Sequence, residues 1–177
     1  MYKLVDSTFV FAVGQEIRSV ELLPRICSRY ELVSTEEVFS ESLKKPFPGQ
    51  FIDIIGETDG RYTQLFDHIK RRHPQLHKGE ISIIAASLLM GAEKTDNYIV
   101  TDDGFARKTM AHVSEDPRVG EILGKAPASL KYTGTIGIIR RLKTHGLISP
   151  EECHLIAKDL RDSSFNITEK LLSQMCT

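Results

Sequence analysis

Tryptophan is absent from the 177 residues, and cysteine occurs only three times, at Cys27, Cys153 and Cys176. An odd number of widely spaced cysteines makes a poor disulfide framework, so free thiols in a reducing compartment are expected. There is no excess of charge of either sign: 23 Lys and Arg face 24 Asp and Glu, a formal net charge of −1. That balance excludes a uniformly basic coat but leaves room for a local basic patch. Long apolar runs are missing too, and no stretch approaches the roughly 20 residues that span a bilayer. The opening Met1-Tyr2-Lys3-Leu4-Val5-Asp6 reaches a carboxylate too early for the apolar core of a signal peptide. A cytoplasmic protein without a membrane span is expected. No internal repeat, low-complexity tract or Gly/Ser linker divides the chain, so residues 1–177 read as one domain. With 41% hydrophobic and 27% charged residues it has a globular composition, and at this length it buries a core without disulfides or structural metal.

What is present is an alternation of short apolar strands with helical periodicity. Lys3-Leu4-Val5, Glu31-Leu32-Val33 and Tyr98-Ile99-Val100-Thr101 read as strands. Phe9 to Val13 is a short apolar stretch closed by Gly14, and Val20 to Ile26 suggests a helix that Pro24 would bend, unless it lies in the first turn. Val38 and Glu41 share a helical face with Ser42; Pro46 to Gly60, rich in proline and glycine, is the least patterned segment. Tyr62, Leu65, Phe66 and Ile69 have the i, i+3, i+4, i+7 spacing of an amphipathic helix that should stop before Pro74. Gly79 to Ala92 is apolar on nearly every face and predicts a buried helix. Phe105 to Val113 reads as a helix, and Pro117 to Lys131 as irregular chain with an apolar patch. Another helix begins at Ile136 and ends at Gly146, a C′ glycine. Ser149-Pro150-Glu151-Glu152 combines an N-cap, a proline at N1 and a capping-box glutamate, and a last helix follows Thr168. Strands separated by helices predict an α/β fold: a parallel sheet of four or five strands between two helical layers. The helices from about 150 onward, with Ile167, Leu171, Leu172 and Met175, are expected to pack on the body or on a partner subunit.

In an open α/β sheet, sites form beyond the carboxyl ends of the strands. Two predicted strands run straight into acids, one into Asp6 and the other into Asp102 and Asp103. A carboxylate at the end of an apolar strand must be solvated, paired or bound to a cation. Acids brought together there would raise one another's pKa unless a cation relieved them. Capping is the plain alternative, for Asp6 ahead of Ser7-Thr8 and for Asp103 ahead of Gly104. Glu80 opens the buried helix, where the dipole favours an acid, and Glu41 lies on the helix containing Val38. Lys70-Arg71-Arg72-His73, Arg107-Lys108 and Arg140-Arg141 are the basic clusters. His68, His73 and His77 flank Pro74 and read as surface histidines rather than a zinc site. Cys153 and His154 are adjacent and point to different helix faces. A P-loop motif is absent, and Asn166-Ile167-Thr168 is a glycosylation acceptor in form only.

The acids occur in a particular order: Leu4-Val5-Asp6-Ser7-Thr8, Val38-x-x-Glu41, Gly79-Glu80-x-x-Ile83-x-x-Ala86, Thr101-Asp102-Asp103-Gly104-Phe105-Ala106-Arg107, and Thr133-Gly134-Thr135-Ile136-Gly137-Ile138. This ordered set resembles the PIN domain family, and within it the VapC-like branch, from Leu4 to about Leu172. The segments from His112 to Lys131 and from Pro46 to Gly60 are longer than that resemblance predicts. It implies a three-layer α/β/α nuclease dependent on Mg²⁺ or Mn²⁺, with Asp6, Glu41, Glu80 and Asp102 as its acidic cluster and Asp103 as a further ligand or water-holder. Asp6, Glu80 and Asp102 would be the metal ligands, and Arg107, Lys108 and Arg140 would meet the nucleic acid. The implied function is RNA phosphodiester hydrolysis, by a homodimer and with a small antitoxin as partner. A non-catalytic RNA-binding or assembly module is the alternative. A phosphohydrolase of small esters ranks lower, because Asp6-Ser7-Thr8 lacks the second aspartate of an Asp-x-Asp motif. If cations neutralise four of the acids, the rest of the chain is net positive, as an RNA-binding surface requires.

Overall fold

The computed structural model describes residues 1–41, 52–55, 59–165 and 167–176. Five parallel strands, β1 (Tyr2–Val5), β2 (Glu31–Thr35), β3 (Asp53–Ile55), β4 (Asn97–Val100) and β5 (Tyr132–Thr133), form one sheet in the order β3-β2-β1-β4-β5. Alternation along the strands divides the interior into two cores. Val5, Leu32 and Val100 face one side, where they pack with α1 (Ser7–Phe11), α2 (Leu22–Cys27), α8 (Thr135–Thr144), α9 (Pro150–Asp162) and α10 (Glu169–Cys176). Leu4, Val33 and Ile99 face the other, against α3 (Glu36–Glu41), α4 (Gly60–Arg72), α5 (Lys78–Ala92), α6 (Gly104–Glu115) and α7 (Pro117–Leu123). The result is the expected three-layer α/β/α arrangement. Among the described residues, no helix is long and apolar enough to cross a membrane.

The sheet order has a functional consequence. From β1 the chain moves outward to β2 and β3, then returns across β1 to β4 and β5 on the other side. The switch point therefore lies between β1 and β4, where open α/β sheets leave a crevice at the carboxyl ends of their strands.

Most elements follow from local signals. In α5, every residue from Ile81 to Leu88 is buried, matching its uniform apolarity. Helix α8 ends with Gly146 at φ 69°, a left-handed conformation that glycine adopts without strain. Helix α9 starts from the full capping box: the Ser149 hydroxyl accepts from Glu152 N, and Ser149 N–H donates to Glu152 Oε2 at 2.7 Å. Helix α10 docks on the body, with Leu172 and Met175 buried and Leu171 left exposed. There the Cys176 thiol donates to Cys153 Sγ at 3.5 Å, and all three cysteines are free thiols, as expected.

The apolar stretch from Phe9 to Val13 is helical, and α1 runs on into a π-helical turn over Ala12–Glu16. One expectation is corrected. Pro117 to Lys131 is not wholly irregular, since Asp116 caps α7, Pro117 takes its first turn and Gly124 closes it at φ 69°. Strand β5, only two residues long, follows at the sheet edge. Ser42, Asn166 and the greater part of the Pro46 to Gly60 segment lie outside the described residues.

Candidate active site at the β1–β4 switch point

Asp6 stands at the end of the central strand. Its N–H donates to Val100 O at 3.2 Å, while Thr101 N–H donates to Thr133 O at 2.9 Å, which brings the ends of β1, β4 and β5 into step. Only 3% of Asp6 is exposed. Its Oδ1 accepts from Phe9 N–H at 2.8 Å, so the expected capping of α1 is present. Burial pushes its carboxyl up to about 7; the charges of Asp102 and Glu80 add to that, and the Thr101 hydroxyl and Phe9 amide oppose it. Asp6 is therefore buried among like charges, held among the described residues by two neutral donors, a costly arrangement for an anion.

Asp102 is held more firmly. Each of its oxygens accepts from Thr135 N–H at 3.1 Å, Oδ2 also accepts from the Thr135 hydroxyl, and Arg107 Nη2 lies 3.4 Å from Oδ1. The carboxylate thus faces the N-terminus of α8, where backbone amides favour an anion. Arg107 is itself anchored, donating to Thr101 O from Nε at 3.0 Å and from Nη2 at 2.5 Å. Gly134 makes this closure possible, because a Cβ there would run into both the Asp102 carboxylate and the Arg107 guanidinium.

The remaining acids approach from the helices. Asp103 caps α6, its Oδ1 accepting from Ala106 N–H at 2.6 Å. Glu80 caps the start of α5 by accepting from His77 N–H at 2.8 Å. Burial raises the Glu80 carboxyl above the usual range, and the Asp103 and Glu41 charges raise it further. Glu41, at the end of α3, accepts from Gly79 N–H at 2.8 Å; a Cβ on Gly79 would stand 2.6 Å from Glu41 Oε2. Electrostatics couple Asp6 to Asp102 and Glu80, and Glu80 to Asp103 and Glu41. All five acids singled out in the sequence therefore belong to one end of the sheet.

They do not form a finished cage: among the described residues, no three His, Cys, Asp or Glu side chains converge closely enough to hold a metal ion. The donor set still suits a hard cation, which takes carboxylate oxygens and keeps several waters. Asp6 supplies the structural argument for such an ion, since a divalent cation would relieve its buried charge.

Of the basic residues, Arg107 is built into the site. Lys108 and Arg140 are exposed, and among the described residues no hydrogen bond or ion pair joins either to the acids. His68 is paired with Asp116 at 2.8 Å, and Cys153 is buried while His154 is exposed. Several contributors carry no sequence motif. Thr35, at the end of β2, meets Ser82 of α5 at 2.5 Å, and the Ser34 hydroxyl donates to Val5 O at 2.9 Å. Two buried serines and a threonine at strand ends or on an apolar helix were the available signal. Tyr132, 49% exposed, lies under the Arg107 guanidinium at 5.9 Å and lines a cleft of about 370 Å³ with Met110, Ser114 and Leu130.

Comparison with protein-family models, with curated proteins and with solved structures finds no match to this chain.

Proposed function

We propose that this chain is a PIN-like, VapC-like ribonuclease that hydrolyses RNA phosphodiester bonds with Mg²⁺ or Mn²⁺. The observation that carries this reading is the buried Asp6 carboxylate at the topological switch point, coupled electrostatically to Asp102 and Glu80. Asp6, Asp102 and Glu80 would hold the cation, in part through water. Glu41 and Asp103 extend the negative field around them. Bound there, the metal would polarise the phosphate and lower the pKa of a bound water. Thr135 and Arg107 fix the orientation of Asp102, and Arg107 also places positive charge where a phosphate backbone would enter. The exposed Tyr132 ring beside it offers a face on which an unpaired base stacks. Lys108 and Arg140 extend the basic surface on α6 and α8. A homodimer and a small antitoxin partner belong to the same reading.

A second reading is favoured by the separation of the carboxylates. Asp6, Glu41, Glu80, Asp102 and Asp103 are each engaged with a protein donor, as in a non-catalytic RNA-binding or assembly module. Cleavage of single-stranded RNA decides between the two. The nuclease reading predicts cleavage with Mn²⁺ that stops in chelator and falls about a hundredfold or more in Asp6→Asn and Asp102→Asn. Activity that survives chelator, or full activity in both variants, would refute it. RNA binding without cleavage would favour the module.

A further inference from the structure

Lys3 lies at the other end of β1 from Asp6, on the face covered by α8. It is paired in register with Tyr98 of β4, and Lys131 immediately precedes β5 beside it. The Lys3 side chain is fully buried, and its Nζ has no hydrogen-bond partner among the described residues. Instead it sits 3.8 Å from the centroid of the Tyr98 ring and 4.9 Å from that of Tyr30. Lys131 Nζ and Arg141 Cζ approach the same Tyr98 ring at 5.2 and 5.5 Å. Three cations thus share one ring. The carboxylate at hand is Asp96, which accepts from Lys131 at 3.0 Å in a solvent-exposed pair.

Ring faces return only part of what an ammonium loses on leaving water, and neighbouring cations repel one another. Among the described residues, the unmet need is an acceptor for Lys3 Nζ and a counter-charge for Lys3 and Arg141. We propose that Lys3, Arg141 and Lys131 form a binding site for a phosphate-sized dianion at the amino ends of β1 and β4. Its source would be free phosphate or the terminal phosphate of a nucleic acid. Lys3 and Arg141, which have no ion-pair partner among the described residues, together match a dianion, and the Arg141 fork makes paired charge-assisted hydrogen bonds to phosphate oxygens. Lys131, immediately before β5, is half exposed, and an exposed ion pair is readily exchanged, so its ammonium can turn from Asp96 to the ligand. This site is separate from the carboxylates, and its failure would leave the nuclease reading untouched.

Thermal unfolding of the full chain tests it, comparing phosphate with chloride at equal ionic strength and about pH 7.5, where phosphate is largely dianionic. Phosphate should raise the Tm of the wild type by several degrees, and most of that shift should vanish in Lys3→Met. Arg141→Gln, on the helix surface, is the second variant should Lys3→Met not fold, and calorimetry should show phosphate bound at least about tenfold more weakly by it. An equal Tm shift in wild type and variants, or none in the wild type, would overturn the site. Competition by a short oligonucleotide with and without a 5′-phosphate assigns the source. Displacement by the phosphorylated form alone identifies a nucleic-acid end, and displacement by neither form identifies free phosphate.

Discussion

At the scale of single residues, Asp6 sets the energetics of the carboxyl end of the sheet. Its carboxyl titrates near 3.8 when unperturbed and at about 7 in the fold, chiefly because it is buried. Between those values the native state keeps a proton that the unfolded chain releases. This group's contribution to stability is therefore complete below about pH 4 and is lost as pH rises through 7. Asp6→Asn removes the buried charge while keeping an acceptor for Phe9 N–H. In metal-free protein at about pH 8 it should raise stability by roughly 2–4 kcal/mol, and the gain should fade toward about pH 4; urea melts at both pH values measure it. Thr135 is the complementary case, because it orients Asp102 with both its amide and its hydroxyl. Thr135→Val keeps the shape and deletes the hydroxyl, and should lower Mn²⁺ affinity and cleavage by about 10–100-fold while the fold persists. Asp6, Asp102 and Glu80 were legible in the sequence because a charge next to an apolar run needs a reason. Thr35 and Ser82 were not, since a hydroxyl suits a strand or a helix whether or not it has a partner. In the sequence Lys3 is an ordinary strand residue, because nothing local reveals that its amine ends between two tyrosine rings.

At the scale of elements, punctuation carried most of the information. The Ser149-Pro150-Glu151-Glu152 start of α9 is present as written, and Ser149→Ala should cost about 1 kcal/mol through loss of the cap. A drop in the urea midpoint with an unchanged slope would register it. Helix α7 carried comparable signals, Asp116-Pro117 at its start and Gly124 at its end, but its seven residues are too few for periodicity to stand out. Strand β5 has two residues and no apolar run, so only its pairing with β4 defines it. Its placement matters nonetheless, because it leads directly into Gly134 and the N-terminus of α8, which together hold Asp102.

At the scale of the whole molecule, a near-neutral chain concentrates its buried negative charge at one switch point and a buried lysine with its basic neighbours at the opposite end of the same strand. The strand order follows from pairing that no single segment encodes, yet it brings the scattered acids to one end of the sheet. A divalent cation at that end is the central requirement of the proposed nuclease, and a calorimetric titration of Mn²⁺ into the full chain tests it most directly. Saturable binding by the wild type, lost in both Asp6→Asn and Asp102→Asn, is the predicted result. No binding by the wild type, or equal binding by all three proteins, would contradict it.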